Sequence, residues 1–307
     1  MALQCGIVGL PNVGKSTLFN CLSKAQAANF PFCTIEPNVG VITVPDERLV
    51  ELARIDNPKK VIPTTIEIVD IAGLVKGASK GEGLGNKFLA NIRNTDAIIH
   101  VLRCFDNGNI THVDGSVNPV RDKEIIDTEL MIKDLETVDS RLAKVQKQAQ
   151  TGGDKNAKRQ YEVLVKYKEA LESGKAARTV ELDKEERKTV SDLNLLTDKP
   201  VLYVCNVDEA SAVSGNAYVE AVREAIRDEN AELLIVAAAT EADIAFRGTG
   251  GISCRRRTER IGGQQAYQSG LPTARPADLF HHGAGRIAGM DLYQRNESTS
   301  GSWNYPY

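Results

Sequence analysis

No stretch of eighteen uncharged apolar residues occurs in the 307-residue sequence, which argues against a membrane-spanning helix. The start, Met-Ala-Leu-Gln-Cys, lacks the positive segment of a secretory leader, and its apolar run breaks at Pro11. No CxxC pair exists among Cys5, Cys21, Cys33, Cys104, Cys205 and Cys254. Free thiols in a reducing cytoplasm are therefore expected, and a cysteine-bound metal cluster is not. Charge of one sign is also lacking. A net charge of −3 gives no whole-chain attraction to nucleic acid or acidic lipid, so such a partner must meet a local patch. Neither a membrane nor DNA is expected as a partner. A hydrophobic fraction of 42% and a charged fraction of 26% belong to a soluble globular chain, long enough for one large domain or two modest ones.

The apolar run Leu3 to Val8 reads as a buried parallel strand. Gly9-Leu-Pro-Asn-Val-Gly14-Lys15-Ser16 follows, and then a helical pattern from Thr17 to Lys24. A G-x-x-x-x-G-K-[ST] run between strand and helix is a phosphate-binding loop. Its glycines let successive N–H groups converge on phosphate oxygens, reinforced by the positive helix end. Asn12, Val13, Gly14, Lys15, Ser16 and Thr17 are the expected nucleotide-binding residues. Lys15 is assigned to the β- and γ-phosphates and Ser16 to Mg²⁺.

A second strand, Thr64 to Val69, ends in Asp70-Ile-Ala-Gly73. Asp70 is placed to hold Mg²⁺ through water, and the Gly73 N–H to meet the γ-phosphate. The turn-rich loop Phe30 to Gly40 carries Thr34, a further candidate Mg²⁺ ligand. Leu74 stands where Ras-like GTPases place a water-orienting glutamine, and leucine has neither donor nor acceptor. The glycine-rich run from Val75 to Gly85 suits a segment that orders around a γ-phosphate; an ordinary surface loop is the other reading.

With the phosphate loop, Phe30-Pro-Phe-Cys-Thr-Ile-Glu-Pro-Asn and Asp70 to Asn86 resemble the Obg-related P-loop proteins, within them the YchF branch of Obg-like ATPases. The resemblance runs from about Leu3 to Ala245. It implies that a hydrophobic residue replaces the glutamine, as Leu74 does, and that a histidine after the fourth strand serves hydrolysis. His112, in a polar loop where it can swing, matches that position and is the catalytic candidate; a plain loop histidine is the alternative. His100, inside the apolar strand Ala97 to Leu102, reads as a satisfied core residue.

After the strand Val201 to Cys205 comes Asn206-Val-Asp-Glu209, where GTPases carry N-K-x-D. Val207 replaces the lysine and Glu209 the aspartate that accepts two hydrogen bonds from guanine. Losing that charge-assisted pair costs about 1.5–3 kcal/mol. ATP is therefore expected over GTP; the resemblance implies the same outcome and, with it, that Asn206 contacts the base and Val207 lines its pocket. Asp208 stays within reach of the base if the loop slips by one residue. Val236 to Thr240 is the second base-contacting segment.

Between the fourth and fifth strands, Met131, Leu135, Val138, Leu142, Val145 and Ala149 form a heptad stripe, broken at Thr151-Gly-Gly-Asp154. A second helical run follows through Tyr161, Leu164 and Leu171, giving an inserted antiparallel hairpin to which Glu181 to Leu196 returns. From Arg141 to Lys168 there are eight basic residues (Arg141, Lys144, Lys147, Lys155, Lys158, Arg159, Lys166, Lys168) against Asp154 and Glu162. That tip, with about six positive charges, is a candidate contact for RNA phosphates, and the resemblance favours the ribosome; a solvated helical face is the bland alternative.

From Phe246 the character changes. Residues 246–307 hold no lysine against nineteen before them, eight arginines and ten glycines, with no surviving period. A frame shift near Ala245 is favoured over a natural disordered basic tail. The expected fold is α/β: a P-loop NTPase with a mostly parallel sheet, an inserted helical hairpin and a disordered C-terminal tail. The expected domains are 1–120 with 197–245 for nucleotide, 121–196 for the hairpin, and 246–307 for the aberrant tail. The expected activity is slow Mg²⁺-dependent ATP hydrolysis at or near the ribosome. An Obg-like GTPase and a ribosome-binding module with negligible hydrolysis remain the alternatives.

Overall fold

The computed structural model describes residues 3–27, 39–44, 46–71, 85–150, 155–229 and 231–247. A six-stranded sheet is formed by β1 (Leu3–Val8), β2 (Val39–Thr43), β3 (Thr65–Asp70), β4 (Ala97–Arg103), β5 (Val201–Asn206) and β6 (Glu232–Val236). Its order is β2-β3-β1-β4-β5-β6. Every pair is parallel except β2–β3. β4 and β5 are buried at every position, as continuous apolar strands of a two-sided parallel sheet must be. The chain leaves β1 for β3 on one side and later crosses to β4 on the other. That crossover puts the crevice for ligands beyond the carboxyl end of β1.

Helices α1 (Lys15–Ala27), α3 (Gly85–Arg93), α7 (Ala217–Ala225) and α8 (Ala238–Arg247) accompany the sheet, with α2 (Glu47–Asp56) after β2. β2 begins inside the segment read as a turn-rich loop. It is an antiparallel strand with a burial alternation only five residues long, too brief to stand out beside Pro and Gly. Between β4 and β5 run α4 (Pro119–Gln150), α5 (Lys155–Glu172) and the short α6 (Lys184–Val190). Asp183 and Glu186 close a reciprocal capping box at the start of α6.

Two apolar cores result, and α4 belongs to both. Ile126 and Leu130 enter the sheet core, whereas Val138 and Val145 join Val163, Leu164, Tyr167 and Leu171 of α5 in a second core. Met131, Leu135 and Leu142 pack against that second core, so the heptad stripe is its seam. The first turns of α4 therefore pack on the sheet rather than in the hairpin. Asp134, wholly buried at the changeover, accepts hydrogen bonds from Leu196 N (2.8 Å), Thr197 N (2.7 Å) and Thr197 Oγ1 (2.7 Å).

Among the described residues, Cys5, Cys21, Cys104 and Cys205 are buried free thiols. Cys104 and Cys205, distant in sequence, meet across β4 and β5 and push the Cys104 thiol pKa up, through their hydrogen bond and then through burial. His100 is buried as expected but is not satisfied. Its Nε2 has no hydrogen-bond partner among the described residues, and desolvation lowers its pKa to about 4. It lies beside the Tyr203 ring instead, at a centroid distance of 5.5 Å. No described helix is long and apolar enough to cross a membrane.

Removing the Asp134 carboxylate would leave three buried donors without an acceptor. Asp134→Ala should cost about 3 kcal/mol or more of stability, read as a lowered urea midpoint in equilibrium unfolding.

Candidate functional site

The phosphate loop leaves β1 at Gly9 and closes at Lys15, the first residue of α1. Gly14 takes φ +100, and a Cβ there would lie 2.2 Å from Asn206 Nδ2. Only glycine fits. Asn12 also adopts a left-handed conformation, φ 63, and its side-chain amide donates to Thr111 O at 3.2 Å. Val13 is buried, its carbonyl bonded by Asn206 Nδ2 at 2.9 Å. The other end of that amide accepts from Ala238 N at 3.0 Å. One side chain thus ties the loop to the start of α8.

Lys15 folds back over the loop and donates to Leu10 O at 2.7 Å. The residue is 7% exposed. Burial lowers its pKa to about 8, with the nearby Asp70 charge opposing that shift. The Ser16 hydroxyl donates to Asp70 Oδ2 at 3.2 Å, while Asp70 Oδ1 is buried without a hydrogen-bond partner among the described residues. A hydroxyl beside a carboxylate with one unsatisfied oxygen fits a hydrated Mg²⁺, a hard cation that takes oxygen ligands and keeps its waters. Thr34, Gly73 and Leu74 lie outside the described residues, as does the run 75–84.

A cleft of about 600 Å³ opens along the loop. Asn12, Gly14, Lys15, Ser16 and Thr17 line it together with Asn206, Val207 and Glu209. Ala238, Ala239 and Thr240 add the start of α8, the segment expected to face the base. Val207 is buried, with its N–H on Val236 O at 2.8 Å. Asp208 caps a short turn by accepting from Ser211 N at 2.9 Å, and hydrogen bonds from the Ser211 hydroxyl first and its backbone N–H second depress its pKa. A one-residue slip that turned Asp208 toward a base would break that cap. Glu209 is exposed at the rim.

The loop between β4 and α4 forms another wall, through Phe105, Asp106, Asn107 and Ile110. Arg103, fully buried, staples it from below by donating to Phe105 O (3.1 Å), Asn107 O (3.1 Å) and Ile110 O (3.0 Å). His112 sits on this loop one residue from the Asn12–Thr111 bond, but it is not a freely swinging ring. It is 8% exposed, does not line the cleft, and has both nitrogens engaged. Nε2 is 2.8 Å from Asp122 Oδ2, and Nδ1 accepts from Asp114 N at 3.1 Å. His112, Asp114 and Asp122 also cluster as a cation site might, but Arg121 stands 3.1 Å from Asp122 and 3.8 Å from Asp114 and supplies positive charge there.

A family model described as 50S ribosome-binding GTPase matches residues 4–134. The chain is 56% identical over 249 residues to the ribosome-binding ATPase YchF of Bacillus subtilis (strain 168), covering 80% of this chain and 68% of that protein. It is equally identical over 247 residues to the protein so named in Escherichia coli O157:H7, with the same coverage. The chain belongs to the YchF family. Among solved structures it is similar to the Schizosaccharomyces pombe YchF GTPase, at 35% identity and TM-score 0.72, covering 84% of this chain and 71% of that one.

On this YchF framework the basic hairpin is less positive than its sequence suggests. Arg141 pairs with Asp192 at 2.5 Å, Lys166 with Glu186 at 2.6 Å and Lys168 with Asp139 at 2.7 Å. Arg159 approaches Asp183 at 3.8 Å. These acids come from α4 and from the returning segment, outside residues 141–168. Lys144, Lys147, Lys155 and Lys158 are exposed, all within two turns of the facing ends of α4 and α5.

Sequence reasoning missed Arg103 and Asp122. A lone charge closing an otherwise apolar strand was a usable signal for Arg103. Asp122 gave none, since an acid in a first helical turn is ordinary.

The free-state Lys15 pKa sets a pH dependence. Bound phosphate favours the charged ammonium and raises that pKa, so affinity is complete below about pH 8 and is lost as pH climbs above it. Calorimetric titration with a non-hydrolysable ATP analogue should show up to about tenfold weakening per pH unit there. Lys15→Met should bind weakly and without that slope.

Proposed function

We propose that the chain is a slow ATP-hydrolysing switch that associates with the ribosome in the cytoplasm. The observation that carries this reading is the buried Lys15 ammonium facing the Ser16–Asp70 pair, whose free oxygen fits a hydrated cation. When bound, Mg²⁺ supplies charge neutralisation on the phosphates, with Ser16, Asp70 and Thr34 as its holders. Lys15 and the loop amides of Asn12 to Thr17 grip the triphosphate, and the Gly73 N–H completes the grip. Leu74 offers no group to orient water, so His112 is assigned that task.

ATP is favoured over GTP by the residues after β5 that line the cleft. Val207 closes it with an apolar side chain, Glu209 replaces the shorter aspartate, and Asp208 is committed to Ser211. Asn206 spends one amide hydrogen and one lone pair on the protein, leaving one of each for a base. The bacterial relatives are named ATPases and the fission-yeast protein a GTPase, so nucleotide competition is the discriminating measurement.

Ribosome association is supported by those relatives' names and by the four exposed lysines around the hairpin turn, which suit RNA phosphates. A nucleotide-gated binding module with negligible hydrolysis is the second reading. It is favoured by the engagement of both His112 nitrogens, which keeps the ring from acting on water. Single-turnover phosphate release separates the two.

His112→Ala should lower turnover about tenfold or more while sparing ATP affinity, measured by phosphate release and by equilibrium titration. Val207→Lys with Glu209→Asp should shift preference toward GTP by about tenfold or more in competition binding. Charge reversal at Lys144 and Lys158 should weaken cosedimentation with ribosomes and flatten its salt dependence.

A further inference from the structure

Residues 106–116 are an exposed loop with one buried side chain, and that side chain is His112. Val113, beside it, is 54% exposed. Apolar burial alone would reverse that choice. What holds the imidazole inside is the first turn of α4, where Asp122 is 1% exposed. The carboxylate is pinned on both sides. Oδ2 faces His112 Nε2 at 2.8 Å, and Oδ1 accepts from Arg121 Nε at 3.3 Å and Nη2 at 3.1 Å. The next residue, Lys123, anchors the helix through Asp127 (2.8 Å) and Glu229 (2.5 Å), and Glu229 also binds Arg178 and Tyr203. The helix start that carries Asp122 cannot drift.

These contacts fix the proton. The Asp114 N–H donates to Nδ1, so Nδ1 carries a lone pair and the hydrogen resides on Nε2, donated to Asp122. We infer that Asp122 is a positioning residue for His112: it fixes the orientation of the ring and keeps hydrogen on Nε2, so that Nδ1 is the atom that orients water once the Asp114 amide gives way. In that step the water oxygen bonds to the γ-phosphorus as the bond to the bridging oxygen breaks. The bridging electron pair stays with the diphosphate, and the water proton leaves on the released phosphate, after passing through Nδ1 where the ring takes it. The kinetic consequence rests on the hydrolytic reading proposed above; the tautomer does not.

Asp122→Asn tests the assignment because its outcome is directional. Arg121 offers only donors, so the asparagine oxygen must stay toward it and the amide NH₂ must face His112 Nε2. Nε2 then has to accept, the hydrogen moves to Nδ1, and the Asp114 bond is lost. Nitrogen NMR of the full chain labelled at histidine should therefore show the Nε2–H tautomer of His112 in wild type and the Nδ1–H tautomer in Asp122→Asn. With ATP, Asp122→Asn should lower kcat about tenfold or more with KM unchanged, and should add nothing on a His112→Ala background. An Nδ1–H ring in the wild type, an unchanged tautomer in the variant, or an additive loss on His112→Ala overturns the inference. If His112→Ala leaves kcat untouched, the hydrolytic reading fails while the tautomers still decide the Asp122 contact. If Asp122→Asn does not fold, the wild-type tautomer decides alone.

Discussion

A single amide holds the site together. Asn206 ends β5, and its side chain bonds Val13 in the phosphate loop and Ala238 at the start of α8. Those two segments both line the cleft, and no backbone ladder connects them. The amide adds to the packing of α1 against α8, where Cys21 Sγ also approaches Ala238 O at 3.8 Å. The same bond explains Gly14, whose missing Cβ leaves room for Asn206 Nδ2. The glycine of the loop is thus needed for its conformation and for the approach of a residue nearly two hundred positions later. A buried amide in this place costs little because both ends find partners, and each end keeps capacity for a ligand.

The second constraint is continuity. α4 is one helix of 32 residues, about 48 Å long, that begins beside His112 and ends at the lysine-rich turn. It passes from the sheet core to the hairpin core without a break, with buried Asp134 fastening the changeover to the segment entering β5. Close to its root, Lys123, Glu229, Arg178 and Tyr203 form a largely buried charged cluster, with Arg178 and Glu229 part-exposed, that joins helix, sheet and return segment. Such a cluster is weak evidence for net stability, but it fixes register, because any shift along the helix axis would strand a buried charge.

What was legible in the sequence follows from range. The phosphate loop, the apolar strands and the hairpin stripe are local patterns, and the fold places them as read. β2 was hidden because five residues of alternation beside Pro and Gly resemble a loop. The hairpin charge was misjudged for a different reason. Counting along residues 141–168 includes every cation but omits Asp183, Glu186 and Asp192, which the returning chain lays against them. His100 was legible as buried but not as unsatisfied, since hydrogen-bond partners depend on which strands become neighbours.

His112 shows where such reading stops. A histidine in a polar loop signals accessibility, and only the fold shows it turned inward onto Asp122. A buried carboxylate loses much hydration, so this pair persists only because each oxygen and nitrogen is matched to a donor or acceptor. Exchanging the ring for the exposed Val113 would bury more apolar surface and free two polar groups to meet water. That the chain does otherwise is a local violation of its own packing rule, of the kind that marks a site kept for chemistry rather than for stability. It also fastens the His112 ring to the first turn of α4, the same helix that runs on to Gln150 and carries the exposed Lys144.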